Sequence, residues 1–141
     1  MQSHFENIAV VVLAAGKGTR IGSHLPKVLC PIAGKPMISY VLKTIAQLPI
    51  ADVFVVTGYR AEDVKASVGR QAHLVYQAEQ LGTGHAVHCS LNELPADIHT
   101  ILVLNGDDSA FYQVKTLRNF IQSHLDSHAV MSVLTAQVQN P

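Results

Sequence analysis

The sequence predicts an α/β fold, with one mostly parallel β-sheet covered by helices on both faces. Short apolar runs rich in Val, Ile and Leu alternate with amphipathic stretches of helical period along the 141 residues. The runs that most clearly predict strands are continuously apolar, which is typical of parallel strands buried on both faces of the sheet. Hydrophobic residues make up 48% of the chain and charged residues 14%, which excludes an intrinsically disordered protein.

Five strands are expected from the apolar runs. In chain order they are Ile8 to Leu13, Val53 to Thr57, a weaker strand from His73 to Gln77, Ile101 to Leu104, and Val130 to Val138. The last of them alternates between apolar and polar residues, which indicates an edge strand or a partly exposed face.

Four helices are expected between the strands. They are Met37 to Leu48, Ala61 to Val68, Gly84 to Leu94 and Val114 to Leu125, each with apolar residues along one stripe. Pro36 and Pro49 bound the first helix, and Gly69 ends the second. Because strands and helices alternate along the chain, consecutive strands are expected to be parallel.

The composition also limits the partners and the location of the chain. Ten Lys and Arg residues balance ten Asp and Glu residues, so no overall basic field would attract nucleic acid or anionic lipid. No apolar run reaches the roughly 18 residues of a membrane span, and the N-terminus lacks the basic start of a signal peptide. Cys30 and Cys89 are too few for a disulfide framework, so free thiols in the cytoplasm are expected.

A phosphate-binding loop is predicted where the first strand ends, over Leu13-Ala14-Ala15-Gly16-Lys17-Gly18-Thr19-Arg20. Glycines after a buried strand let backbone N–H groups approach phosphate oxygens, and Arg20 and Lys27 add positive charge. The segment is not a dinucleotide fingerprint, because Ile21 stands where the pattern needs glycine; Gly34-Lys35 does not complete a P-loop either. The alternative is a solvent-exposed loop whose positive charges have no binding role.

A nucleobase site is predicted after the third strand, in the segment from Gln77 to Ala86. Gln77 and Gln80 stand near the strand end, where a side-chain amide can pair with a base edge as donor and acceptor. Gly82-Thr83-Gly84 then opens a helix, whose first N–H groups face the same edge of the sheet. The alternative is an ordinary strand-to-helix turn.

A metal site is predicted after the fourth strand, at Asn105-Gly106-Asp107-Asp108. Carboxylates at a strand end suit Mg²⁺, which takes one or two of them together with substrate phosphates and water. The alternative is an Asp-rich turn or a helix cap, with Asp108 or Ser109 as the capping residue. All three segments follow strand ends, where ligands bind in open α/β sheets.

The motifs resemble a known family. The glycine loop with L-P-K-V-L at residues 25–29, and Q-A-E-Q-L-G-T-G-H-A at residues 77–86, are similar to the uridyltransferase domain of bacterial bifunctional N-acetylglucosamine-1-phosphate uridyltransferases/glucosamine-1-phosphate acetyltransferases. A-G-K-P-M at residues 33–37 and V-T-G at residues 56–58 also match. The first motif is shared by many sugar nucleotidyltransferases, whereas the second is more specific, and the resemblance covers nearly the whole chain.

The resemblance implies a Rossmann-like fold of the glycosyltransferase-A type. It also implies a reaction of UTP with a sugar-1-phosphate, expected to be N-acetylglucosamine-1-phosphate, that releases pyrophosphate. The residues it places around the nucleotide are Leu13, Ala14, Ala15, Gly16, Gly18, Lys27, Gln77, Gln80, Gly82, Thr83, Asn105 and Gly106. Arg20 and Lys27 would act in catalysis by neutralising the triphosphate and the transition state, and Asp107 would hold Mg²⁺, the expected cofactor.

The chain departs from the family pattern in two ways. The family usually continues G-D-V-P-L where this chain has Gly106-Asp107-Asp108-Ser109. The family domain is also longer, so residues 1–141 are expected to be its nucleotide-binding part, without the sugar-binding half or the acetyltransferase domain, either excised or naturally short. An unpaired edge at the last strand would favour a homo-oligomer. The competing hypothesis is a nucleotide-binding module without turnover, or a short paralogue with a different acceptor.

Overall fold

The structure is a computed structural model that describes residues 5–18 and 24–137. Its strands are β1 (Phe5–Ala14), β2 (Pro31–Ile32), β3 (Lys35–Pro36), β4 (Ile50–Thr57), β5 (His73–Tyr76) and β6 (Thr100–Asn105). Its helices are α1 (Met37–Ile45), α2 (Ala61–Val68), α3 (Thr83–Leu91) and α4 (Val114–Ser127). The main sheet has the order β5-β4-β1-β6, and all of its pairings are parallel. The predicted α/β class and parallel sheet are confirmed.

The central strand β1 divides the interior into two cores. Val10 and Val12 face the larger core, which also holds buried residues of α1, α2 and α4. Ala9 and Val11 face the smaller core, which Ala86 of α3 completes from the opposite side of the sheet. Complete burial of a valine side chain stabilises the fold by about 1.5–3 kcal/mol, so β1 anchors both layers. The sheet therefore has helices on both faces, as predicted.

The strand order of the main sheet reverses at β1. From β1 the chain moves outward through β4 to β5 and then crosses to β6, on the other side of β1. Leu13 is in register with Val56 of β4 and with Asn105 of β6, so these three strands end together. In open α/β sheets a crevice forms where the strand order reverses, which here is at the carboxyl end of β1.

The prediction of a last strand from Val130 to Val138 is wrong over its described part. Residues 131–137 have no regular secondary structure, and Val138 lies outside the described residues. Val130, Met131 and Val133 are exposed, and no described strand pairs with this segment. An alternating sequence forms a strand only where a neighbouring strand takes its backbone hydrogen bonds.

Some smaller features also differ from the expected ones. Helix α1 ends at Ile45, and α3 begins at Thr83 and ends at Leu91. The short antiparallel pair β2–β3 was not predicted; it turns through Ala33 and Gly34, whose φ angles of 47° and 80° are both left-handed.

Within the described part of the chain, every helix is too short or too polar to cross a membrane.

Candidate functional site

A cleft of about 270 Å³ opens at the carboxyl end of the sheet. Twelve residues named in the sequence analysis line it: Leu13, Ala14, Ala15, Gly16, Gly18, Lys27, Gln77, Gln80, Gly82, Thr83, Asn105 and Asp107. Val28 and Ala86 complete the lining; neither was predicted as a site residue, although each lies within one of the motifs at residues 25–29 and 77–86. Gly106 is buried and is not part of the lining. Arg20 lies outside the described residues.

Gly58, directly after β4, brings the first loop and the glutamine segment together. A Cβ atom at this position would lie 3.1 Å from the Cβ of Ala15 and 3.2 Å from the carbonyl oxygen of Gln77. The N–H of the next residue, Tyr59, donates to the carbonyl oxygen of Ala15 at 3.2 Å. A larger residue than glycine would push the two segments apart, so the width of the cleft depends on this position.

Gly106 has a similar role between β1 and the segment that carries Lys27. Its N–H donates to the carbonyl oxygen of Leu13 at 2.9 Å. An added Cβ would lie 2.8 Å from Cγ1 of Val28 and 3.0 Å from that same oxygen of Leu13. Gly106 was expected to border the site, and the structure places it beneath the cleft as a close-packing position.

Lys27 and Asp107 form an ion pair across the cleft. Lys27 begins a one-turn 3₁₀ helix, Lys27–Leu29, which its buried neighbours Val28 and Leu29 anchor in the core. The Nζ of Lys27 binds Oδ2 of Asp107 and lies 3.8 Å from Oδ1 of Asp108. The exposed fractions of the Lys27 and Asp107 side chains are 39% and 18%. The two groups expected to serve phosphate and metal are therefore partners of each other.

Asp107 is also a capping residue. Its Oδ1 accepts a hydrogen bond from the N–H of Asp108 at 2.8 Å, at the start of the 3₁₀ helix Asp108–Phe111. The alternative of a cap at Asp108 or Ser109 is therefore wrong by one or two residues. Burial would by itself raise the pKa of Asp107, but the hydrogen bonds from Lys27 and Asp108 and the charge of Lys27 outweigh it. The pKa of Asp107 lies below its ordinary value, so this carboxylate is ionised at neutral pH.

The donor set around Asp107 suits a magnesium ion that arrives with a nucleotide. Within residues 5–18 and 24–137, no group of three His, Cys, Asp or Glu side chains could hold a metal. Asp107 offers carboxylate oxygens at the cleft, and Mg²⁺ commonly takes one carboxylate with phosphate oxygens and waters. The residues present fit an ion coordinated mainly by substrate, rather than one that the protein holds alone.

The side-chain amide of Gln77 is held from inside the protein. Gln77 is 3% exposed, and its Nε2 lies 3.2 Å from the carbonyl oxygen of Gly82 and 2.9 Å from Nδ1 of His85. From the sequence, this amide was expected to offer a base both a donor and an acceptor. In the structure both N–H groups of the amide are engaged, and the acceptor Oε1 has no hydrogen-bond partner among the described residues. His85 was not predicted as part of the site; its place after Gly82-Thr83-Gly84 was the available signal.

The chain is similar to known proteins both in sequence and in fold. A family model of the MobA-like NTP transferase domain matches residues 10–141. The chain belongs to this family. The NTP transferase domain is 40% identical over 136 residues to the N-terminal part of the bifunctional protein GlmU of Enterococcus faecalis. The match covers 96% of this chain but spans only 30% of that protein. The family resemblance inferred from the motifs is confirmed.

Two solved structures share the fold of this NTP transferase domain. A nucleotidyl transferase from Methanothermobacter superposes with a TM-score of 0.70 at 26% identity, over 82% of this chain and 56% of that one. HddC from Yersinia pseudotuberculosis, complexed with GMP-PN, superposes with a TM-score of 0.70 at 28% identity, over 84% of this chain and 54% of that one. The chain therefore spans little more than half of each of these proteins.

Proposed function

We propose that this chain is the nucleotide-binding part of a nucleotidyltransferase domain that joins UTP to a sugar-1-phosphate, with N-acetylglucosamine-1-phosphate as the acceptor. The observation that carries the proposal is the meeting of the glycine loop, the Gln77 amide and the Lys27–Asp107 pair in one cleft. The family supports transfer of a nucleotide. The resemblance of the motifs at residues 13–29 and 77–86 to bacterial uridyltransferase domains supports a uridine nucleotide and an amino-sugar phosphate.

In the proposed reaction a phosphate oxygen of the sugar-1-phosphate attacks the α-phosphorus of UTP. The new P–O bond forms as the bond from this phosphorus to the oxygen bridging it to the β-phosphorus breaks, and the electron pair leaves with pyrophosphate. No covalent enzyme intermediate is required, because positioning and charge neutralisation supply the catalysis. The backbone N–H groups from Gly16 to Gly18 would bind the phosphates.

Lys27 and Arg20 are proposed as the catalytic cations. Lys27 would exchange Asp107 for the phosphates when the nucleotide enters, because its Nζ already lies at the cleft. Negative charge grows on the leaving pyrophosphate in the transition state, so a cation placed there binds the transition state more strongly than the substrate. The proposal for Arg20 rests on the first motif alone.

Asp107 is proposed to hold Mg²⁺ together with phosphate oxygens and waters. When bound, the ion would neutralise phosphate charge. The hydrogen bond from Asp108 to Oδ1 orients the carboxylate, and departure of Lys27 would leave Oδ2 for the metal. Gln77 and Gln80 are proposed to contact the base, with Gly82 and Thr83 beside the base and ribose.

Pyrophosphate release from UTP and Mg²⁺, with and without N-acetylglucosamine-1-phosphate, tests the proposal. Release that depends on the sugar phosphate is the expected result. Binding of UTP without release would favour the alternative of a nucleotide-binding module without turnover, and failure to bind UTP would contradict both.

A cytoplasmic location is part of the proposal, since Cys30 and Cys89 are free thiols. A homo-oligomer is the remaining proposed partner, and light scattering measures it.

A further inference from the structure

We propose that His85 is a positioning residue that fixes the Gln77 amide with its oxygen toward the nucleotide, and thereby selects bases whose ring nitrogen carries a hydrogen. Uracil, thymine and guanine have such a ring N–H, whereas cytosine and adenine have an acceptor at the corresponding nitrogen. This inference rests on the proposed function, because it concerns the base that would occupy the same cleft.

The orientation of the amide follows from its two partners. The carbonyl oxygen of Gly82 can only accept, so the nitrogen of the Gln77 amide must face it, at 3.2 Å. That nitrogen has a second hydrogen, which points to Nδ1 of His85 at 2.9 Å. Nδ1 therefore accepts, and the hydrogen of the neutral ring is on Nε2, which lies 3.8 Å from Sγ of Cys89.

Rotation of the amide is costly in these surroundings. A rotated Gln77 would place its oxygen against the carbonyl oxygen of Gly82, which can only accept, and against Nδ1 of His85, which accepts as long as the ring hydrogen is on Nε2. The backbone of Gln77 is fixed as well, since its N–H donates to the carbonyl oxygen of Thr57 at 2.8 Å. His85 lies in the first turn of α3, next to Ala86, which is buried in the smaller core. The sheet and the helix together therefore hold the amide in one orientation.

The remaining acceptor determines which base can pair with Gln77. Gln77 lines the cleft, and Oε1 is its amide atom without a partner among the described residues. Opposite N3 of uracil this oxygen accepts a hydrogen bond, whereas opposite N3 of cytosine two acceptors would face each other. A rotated amide would have the reverse preference. The ratio of UTP to CTP affinity thus reports on the orientation of the Gln77 amide.

The test uses three variants of the whole chain, titrated with UTP and CTP by calorimetry. His85→Leu removes the acceptor, so the UTP/CTP affinity ratio should fall by about 5- to 10-fold, as for the loss of one buried hydrogen bond. His85→Asn places an amide oxygen near the former position of Nδ1, and it should restore most of the ratio. His88→Leu is the matched control: the same substitution at an exposed histidine in the same helix should leave the ratio unchanged.

A second measurement needs neither a variant nor a nucleotide. The ¹⁵N chemical shifts of the His85 ring in the free protein should show an unprotonated Nδ1 and a protonated Nε2. A proton on Nδ1 at neutral pH would overturn the positioning role, as would an unchanged UTP/CTP ratio in a folded His85→Leu protein. Equal binding of UTP and CTP by the unaltered protein would overturn the base selection alone. Failure of the unaltered protein to bind any nucleoside triphosphate would instead overturn the proposed function.

Discussion

Lys27 and Asp107 lie far apart in the sequence and form an ion pair in the lining of the cleft. The pair joins the segment after the glycine loop to the residues that follow β6. Both carboxylate oxygens of Asp107 are engaged, one by Lys27 and the other by the N–H of Asp108. We expect that a nucleotide recruiting Lys27, or a metal recruiting Asp107, would weaken this contact. Binding of phosphate and binding of metal would then be coupled through it.

Lys27→Ala tests the phosphate role. A charge-assisted contact to phosphate is worth about 1.5–3 kcal/mol, so UTP affinity should fall roughly 10- to 100-fold, with or without magnesium. The free energy of unfolding should change by less than about 1 kcal/mol, because the lysine is partly exposed and such pairs contribute little. Calorimetric titration and urea denaturation measure the two quantities. Lys115→Ala, at an exposed lysine of α4, is the control that should change neither.

Asp107→Asn tests the metal role. The amide oxygen can still accept from the N–H of Asp108, while the charge of Asp107 next to Lys27 is removed. UTP binding without magnesium should therefore be unchanged or stronger, and the increase in affinity that magnesium gives should disappear. Titrations with and without Mg²⁺ measure this difference. Asp108→Asn should preserve the increase, because the Asp108 side chain is 70% exposed and lies farther from Lys27. The reverse result for the two variants would move the metal site to Asp108.

Acid should weaken the contribution of Asp107 to stability. The pKa of Asp107 is lowered in the folded protein, so the folded state binds this proton less readily than the unfolded state. The stabilisation is then fully present above the ordinary aspartate pKa, near pH 4, and is lost as the pH falls through the lowered pKa of the folded state. Urea denaturation of the unaltered protein and of Asp107→Asn, from neutral pH to about pH 2, should show their difference shrinking. A difference that grows on acidification would contradict the pairing.

Gly106→Ala tests the close approach beneath the cleft. The added methyl group would press on Val28 and on the carbonyl oxygen of Leu13, so the free energy of unfolding should fall by about 1–3 kcal/mol and UTP binding should weaken as Lys27 moves. Gly84→Ala is the matched substitution, since a Cβ at this helical position meets no atom within 4 Å. It should stabilise α3 by roughly 0.5–1 kcal/mol. Equal stability changes in the two variants would contradict the packing argument.

The sequence by itself determined the four strands of the main sheet, the four helices and the three chain segments that line the cleft. Val10 to Val12 and Val53 to Val56 form buried parallel strands because continuous β-branched runs have no polar face to expose. Helix α2 has the predicted bounds, Ala61–Val68, because Gly69 supplies the positive φ that ends it. Parallel strands carry their carboxyl ends to one edge, so the loop after β1 and the segments after β5 and β6 could be placed together in advance.

Only the tertiary structure decided which side chains in those segments meet. The pairing of Lys27 with Asp107, and the engagement of both Gln77 N–H groups by Gly82 and His85, depend on distances of a few ångströms that no local pattern encodes. The segment after α4 is the converse case. Residues 131–137 alternate as an edge strand would, yet they form none, because a strand requires backbone hydrogen bonds from a neighbour and no described strand provides them.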